Sequence, residues 1–217
     1  MIDLVKCDQM DVLMPQAFAD SNMGQRIWGM KPKPDDIWIV TYPKCGTTMT
    51  QELVWQIINL SKGGQLDSEK AKEFLFFRVP FVEMTSLIRN PSFSLASLAY
   101  WIKRTSIFDK CQQLLQFKRI HKMMKDTIAH TEGLESPRVM KSHLPISMLP
   151  PDVTKTSKIL VVMRNPKDAC VSFFHHERLL PNHGLKPSYP FDDFAKMFMQ
   201  GKVRYGDYWM FLKVKIF

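Results

Sequence analysis

Residues 37–50 read IWIVTYPKCGTTMT, and the fold follows from how this stretch is read. IWIVTY (37–42) is a short β-branched and aromatic run ended by Pro43, as expected of a strand buried on both faces. From Thr47 to Leu60, the residues Leu53, Val54, Ile57 and Ile58 recur at helical spacing. Thr48 and Gln51 have the spacing of a capping box at the helix start, and KGG at 62–64 stops the helix. Between strand and helix, Gly46 allows a tight turn with exposed amide N–H groups, and the helix adds its positive end. Lys44 adds a full charge, and Thr47 and Thr48 add hydroxyl donors. This is phosphate-binding chemistry on a P-loop-like strand–loop–helix. It is not the nucleotide motif GxxxxGK[ST], because Lys44 precedes the glycine. A capped helix start without a ligand remains the alternative for this segment alone.

Two further strands lie outward from it. RVMKSH (138–143) is stopped by Leu144-Pro145, and KILVVMR (158–164) is the most apolar of the three. Lys141 and His143 are two apart and face one side of their strand. A lysine beside a histidine favours the neutral imidazole that a general base needs; the alternative is a surface pair. Arg164 closes the third strand, and Pro166 opens a helix over about 167–180, with Asn165 as its N-cap and Asp168 in its first turn. Ser172 lies about two turns into that helix, where it either shares a phosphate with Arg164 or is an ordinary helix-interior serine. Three consecutive strands ending in basic residues predict one cleft for a ligand with several anionic groups. Strands separated by helical stretches imply an α/β fold, a central parallel sheet flanked by helices. Such sheets bind ligands beyond the carboxyl ends of their strands.

The rest of the chain reads more simply. Residues 1–36 are expected to be irregular, 67–77 a short helix, RVPFVEM a loop, 94–130 mostly helical, and a last helix starts near Phe191. The 217 residues suit a single domain over 1–217. Thirty basic and twenty-one acidic residues give a net charge of +9, which suits an anionic ligand or simply a basic surface. Without a dense Lys/Arg block or zinc-finger spacing, nucleic acid is not the expected partner. Cysteines 7, 45, 111 and 170 form no CxxC, so reduced thiols in a cytoplasmic protein are expected. The N-terminus lacks a signal-peptide pattern, and no apolar run reaches the roughly 18 residues of a membrane span. His175, His176 and His183 read as surface residues and not as a metal site.

TYPKCGTT (41–48), KSHLP (141–145) and RNPKDACVSFFHHERL (164–179) together resemble the cytosolic sulfotransferase family in order and spacing. That family's usual forms are TYPKSGTTW, K[TS]HLP and RNPKDxxVSxYH. HHERLLP and VTYPKCGTT look most like its insect branch, which includes a retinol dehydratase. The resemblance spans roughly residues 15–210. It implies transfer of a sulfuryl group from 3′-phosphoadenylyl sulfate (PAPS) to a hydroxyl or amine of a small hydrophobic acceptor, without a metal. Lys44, Gly46, Thr47, Thr48 and the backbone of Cys45 would hold the 5′-phosphosulfate. His143 would take the acceptor proton, with Lys44 and Lys141 assisting at the reacting groups. Arg164 and Ser172 would bind the 3′-phosphate. Phe81, Phe93, Tyr100 and Trp101 are candidates for an apolar acceptor pocket, or are core aromatics.

Two departures from the family pattern stand out. Met49 replaces the tryptophan that stacks on adenine, which implies weaker donor binding by about 1–2 kcal/mol. After GKVRYGDYW (201–209), the family's RKGxxGDW segment and C-terminal dimer segment have no counterpart. The chain therefore reads as a shortened isoform, a fragment or an incomplete gene model, with its oligomeric state open and a sheet edge and apolar helix faces exposed. The alternative function is a non-catalytic binder of nucleotide or a retinoid-like hydrophobic ligand. A nucleoside-triphosphate hydrolase is disfavoured by the lysine-before-glycine order and the lack of a magnesium-binding acid after the third strand.

Overall fold

The computed structural model describes residues 4–7, 12–65, 67–87, 118–179 and 185–213. Its centre is a three-stranded parallel sheet, order β4-β3-β5, from β3 (Ile37–Thr41), β4 (Val139–Ser142) and β5 (Lys158–Val162). β3 is central, which is why both faces of IWIVT are apolar; Trp38, Ile39 and Val40 are buried. Val40 pairs with Ser142 and Thr41 with Val162, so all three carboxyl ends finish side by side. That alignment sends the segments after Thr41, Ser142 and Val162 toward one region.

Tyr42, the first residue past β3, anchors the later helices. Its hydroxyl donates to the Gly206 carbonyl at 2.8 Å. Its ring meets Phe173, Phe198, Tyr208 and Phe211 edge-on, an arrangement that suits the ring quadrupole. Under the sheet, Arg138 and Asp36 form a buried two-pronged ion pair.

Several elements differ from the sequence expectation. Among the described residues before Gly29 the chain is not irregular: β1 (Leu4–Cys7) and β2 (Val12–Pro15) pair antiparallel, followed by helices Gln16–Asp20 and Met23–Trp28. Met14, Phe18, Met23 and Ile27 enter the core. Elements of four to six residues are too short to show a period. The Thr48–Gln51 capping box does not form. Gly46 is the N-cap in a left-handed conformation without a side-chain cap, so Thr48 already lies inside helix Thr47–Gly63. Gln51 instead donates to the Val79 carbonyl at 3.0 Å. The helix runs to Gly63, where left-handed Gly64 donates to the Leu60 carbonyl at 2.8 Å.

The 67–77 helix is two helices, Ser68–Lys72 and Leu75–Arg78, separated where Glu73 turns extended. RVPFVEM is more ordered than a loop: Phe81 bridges Lys141 in parallel, and helix Met84–Leu87 follows. Within 94–130, residues 118–125 are helical and Asp126 caps a second helix, Thr127–Glu132; residues 94–117 lie outside the described residues. Helices Pro166–Leu179 and Phe191–Met199 form as expected. Asn165 Oδ1 accepts from the Lys167 N–H at 3.0 Å, as an N-cap does. β5, although apolar, pairs with β3 alone among the described strands, leaving Leu160 39% and Met163 60% exposed. Met49, Leu53, Ile57 and Leu60 form an exposed stripe on helix Thr47–Gly63.

Candidate functional site

The turn after β3 is built from two left-handed residues, Lys44 at φ 67° and Gly46 at φ 95°. Glycine adopts that conformation without strain, whereas lysine adopts it at a cost. The result turns successive backbone amides at the head of a 17-residue helix, the arrangement that concentrates positive potential. Cys45 points inward and is buried; burial pushes its thiol up to about 11, so it stays protonated. Thr47 is buried with Oγ1 2.6 Å from Thr41 Oγ1, while Thr48 is exposed.

At the end of β4, Lys141 Nζ lies 3.2 Å from His143 Nε2, as the two-residue spacing predicted. His143 Nδ1 lies 2.7 Å from the Thr41 carbonyl oxygen and 3.1 Å from Thr41 Oγ1. A carbonyl only accepts, so Nδ1 carries the proton and Nε2 the lone pair. Burial, reinforced by Lys141, holds the imidazole well below its ordinary range and therefore neutral. Burial is the larger cause, beyond the lysine effect read from sequence. Lys141 is itself pushed down to about 8 by burial, and its ammonium sits 3.9 Å over the Phe81 ring.

At the end of β5, Arg164 donates from Nη1 to the Lys44 carbonyl at 3.2 Å, tying the third strand end to the first turn. Tyr208 donates its hydroxyl to the Arg164 carbonyl. Ser172 lies on the facing side of helix Pro166–Leu179. Lys44, Thr47, Lys141, His143, Arg164 and Ser172 all line one cavity of about 840 Å³, as do Gly46, Thr48 and Met49. Its lining also includes the apolar side chains of Phe76, Phe81, Met84, Leu87 and Met124. Of the aromatics proposed for an acceptor pocket, Phe81 is there; Phe93, Tyr100 and Trp101 lie outside the described residues.

One histidine was misread. His176 is half-buried on the cavity wall, not on the surface, and burial plus Lys44, Arg204 and Lys141 push it down to about 4. His175 is exposed as expected, and His183 lies outside the described residues. No group of three or more metal-ligating side chains occurs among the described residues, and no helix among them is long and apolar enough to cross a membrane. Sequence reasoning also missed Glu83, the Glu177–Arg204 ion pair at 3.1 Å, and Tyr205, which sits edge-on to His143 at 5.3 Å. The lone acid in the apolar PFVEM was the one available signal for Glu83.

Comparison with known proteins points to one family. The sulfotransferase domain model matches residues 34–214. Luciferin sulfotransferase of Photinus pyralis is 34% identical over 180 residues, covering 82% of this chain and 41% of that protein. Sulfotransferase 1E1 of Homo sapiens is 32% identical over 183 residues, covering 83% and 48% respectively. A structure of retinol dehydratase with androsterone and the inactive cofactor PAP superposes with a TM-score of 0.74 at 26% identity, covering 98% of this chain and 59% of that one. The chain spans about half the length of the curated relatives it matches. With its family model spanning all three strand ends of the cavity, the chain belongs to the sulfotransferase domain family.

Proposed function

We propose that this chain performs sulfuryl transfer from PAPS to a hydroxyl or amine of a small hydrophobic acceptor. The observation that carries the reading is the buried Lys141–His143 pair facing a cavity shared by all three strand ends. His143 Nε2, whose lone pair faces Lys141 Nζ at 3.2 Å, takes the acceptor proton as the acceptor oxygen or nitrogen bonds to sulfur. The sulfur–oxygen bond to the phosphate breaks as that bond forms, and Lys44 stabilises the charge left on the phosphate oxygen. Lys141 acts beside the transferred group. Catalysis is then positioning plus preorganised charge.

For the donor, the amides around Gly46 and the side chains of Lys44, Thr47 and Thr48 take the 5′-phosphosulfate, with Cys45 contributing its backbone N–H. Arg164 and Ser172 take the 3′-phosphate, and Met49 covers the adenine. The fit is supported at Gly46: its left-handed turn is open, with Val162 Cγ1 4.0 Å from where a Cβ would sit. The retinol dehydratase structures hold a nucleotide, PAP, together with an apolar small molecule, androsterone or retinol, which supports a nucleotide and an apolar ligand sharing this cavity. The buried free thiols of Cys45 and Cys170 suit a single domain working in the cytoplasm.

The deciding experiment incubates the folded chain with labelled PAPS and a panel of small phenols and alcohols. Labelled sulfated product is expected. Absence of product at high protein concentration, with PAP or retinol still raising the melting temperature, would replace transfer by ligand binding alone.

A further inference from the structure

Behind the Lys141–His143 pair lies a carboxylate that the transfer reading leaves unused. Glu83 is fully buried and stands outside the cavity wall. Its Oε1 accepts from the His143 backbone N–H at 2.7 Å, and its Oε2 from the Ser142 hydroxyl at 3.0 Å. Ser142 Oγ in turn accepts from the Leu144 N–H at 3.0 Å. Three consecutive residues at the end of β4 thus hang from one carboxylate.

The segment that carries Glu83 is itself fixed. The Pro80 carbonyl accepts from the Lys141 N–H at 2.9 Å, and the Val82 N–H donates to the Lys141 carbonyl at 3.1 Å. The Glu83 carbonyl accepts from the Ser86 N–H at 3.1 Å and the Ser86 hydroxyl at 2.7 Å. A neutral amide has one accepting oxygen where Glu83 uses two, so only a carboxylate takes both bonds; burying its charge still calls for a further compensation. Lys141 supplies one: Glu83 favours its protonated form, against burial and the charge of Lys44. Burial pushes Glu83 up to about 7, opposed by the His143 N–H, Lys141 and Ser142. Tyr205 also interacts electrostatically with Glu83, and His143 and His176 with Lys141.

We propose that Glu83 is a positioning residue for the transfer site: it clamps Ser142–Leu144 so that His143 presents Nε2 to the cavity, and its charge keeps Lys141 protonated. This rests on the transfer reading above, but Lys141 can be followed without turnover. The test uses the whole chain with Glu83→Gln, which keeps size and removes charge, and Glu83→Asp, which keeps charge and withdraws the clamp. Measured are the Lys141 Cε NMR titration, PAP affinity by calorimetry, and kcat and KM against pH.

In Glu83→Gln the Lys141 midpoint falls by about half a pH unit or more, and the alkaline limb of the kcat profile moves down with it. The value of kcat falls roughly tenfold or more, as expected for a misplaced base, while PAP affinity stays within about twofold. In Glu83→Asp the Lys141 midpoint returns toward wild type but kcat remains low. Wild-type kcat and Lys141 midpoints in both variants would overturn the proposal. If the wild-type chain forms no sulfated product, the transfer reading fails by itself, and the Lys141 midpoint in Glu83→Gln still decides: a shift supports the charge role, no shift overturns it. If Glu83→Gln does not melt cooperatively, Glu83→Asp decides. Reduced kcat at unchanged PAP affinity supports the clamp, and unchanged kcat overturns it.

Discussion

Lys141 Nζ lies 3.2 Å from His143 Nε2, and both residues are buried at the carboxyl end of β4. Two cations so close in a low-dielectric site would repel strongly, so one of them is neutral. The Thr41 carbonyl settles which nitrogen of His143 carries the proton, and burial keeps the imidazole uncharged. A lone pair and an ammonium are thereby held side by side, which is the arrangement that proton removal next to a developing anion requires.

The Arg138–Asp36 pair sets how firmly β3 and β4 start in register. Both side chains are buried, and Asp36 also accepts from the Lys33 N–H at 2.7 Å. Removing one partner leaves an uncompensated buried charge. Arg138→Met is expected to lower unfolding free energy by about 3–5 kcal/mol in urea titration. A loss under about 1 kcal/mol would show that the charges are solvated or dispensable.

Glycines 64 and 201 separate backbone strain from crowding. Both have left-handed φ, 70° and 65°. A Cβ at Gly64 would meet nothing within 4 Å, whereas one at Gly201 would lie 2.9 Å from Asp207 Cβ and 3.1 Å from its backbone nitrogen. Gly64→Ala is expected to cost about 1 kcal/mol, and Gly201→Ala about 2–4 kcal/mol once overpacking is added. Chemical denaturation reads both, and equal losses would contradict the crowding at Asp207.

His176 makes stability pH-dependent in a stated direction. Its native value of about 4 lies below the roughly 6.5 of an unfolded histidine. Its neutral burial therefore favours the fold fully above about 6.5, and that advantage is lost as pH falls toward about 4. His143, Glu83 and Glu177 titrate as well, so the informative quantity is a difference. The melting temperature of His176→Gln minus that of wild type should rise as pH drops through this window. Parallel curves would place His176 in solvent.

Met49 is 72% exposed and lines the cavity from the first turn of helix Thr47–Gly63. A rigid ring there offers a larger flat surface to a purine. Met49→Trp is expected to tighten PAP binding by about 1–2 kcal/mol, roughly 5–30-fold in Kd by calorimetry. Unchanged affinity would mean that adenine does not pass over this position.

Much of the site was legible because its residues sit at strand ends, where period-two spacing and a following helix fix their neighbours. Lys44, Lys141, His143, Arg164 and Ser172 reach one cavity for that reason. The capping box failed because left-handed Gly46 is the N-cap, two residues earlier than the box requires. The paired strands and helices before Lys31 were illegible because each spans fewer than two helical turns or only four strand residues, too few repeats to read a period. Glu83 and Arg204 come from segments without regular pattern, and their partners Ser142 and Glu177 are 59 and 27 residues away. His176 was misread because adjacent histidines on a helix diverge, and nothing local says which of the two faces the cavity.

The central claim is that His143 removes the acceptor proton while the donor is held elsewhere. The direct measurement is single-turnover transfer of labelled sulfate to a phenol by wild type and His143→Ala, with PAP affinity of both measured by calorimetry. Product from wild type, at least a hundredfold less from His143→Ala as an order-of-magnitude expectation for a lost general base, and equal PAP affinity are predicted. Comparable product from both proteins, or a loss explained by weaker PAP binding, would contradict the account.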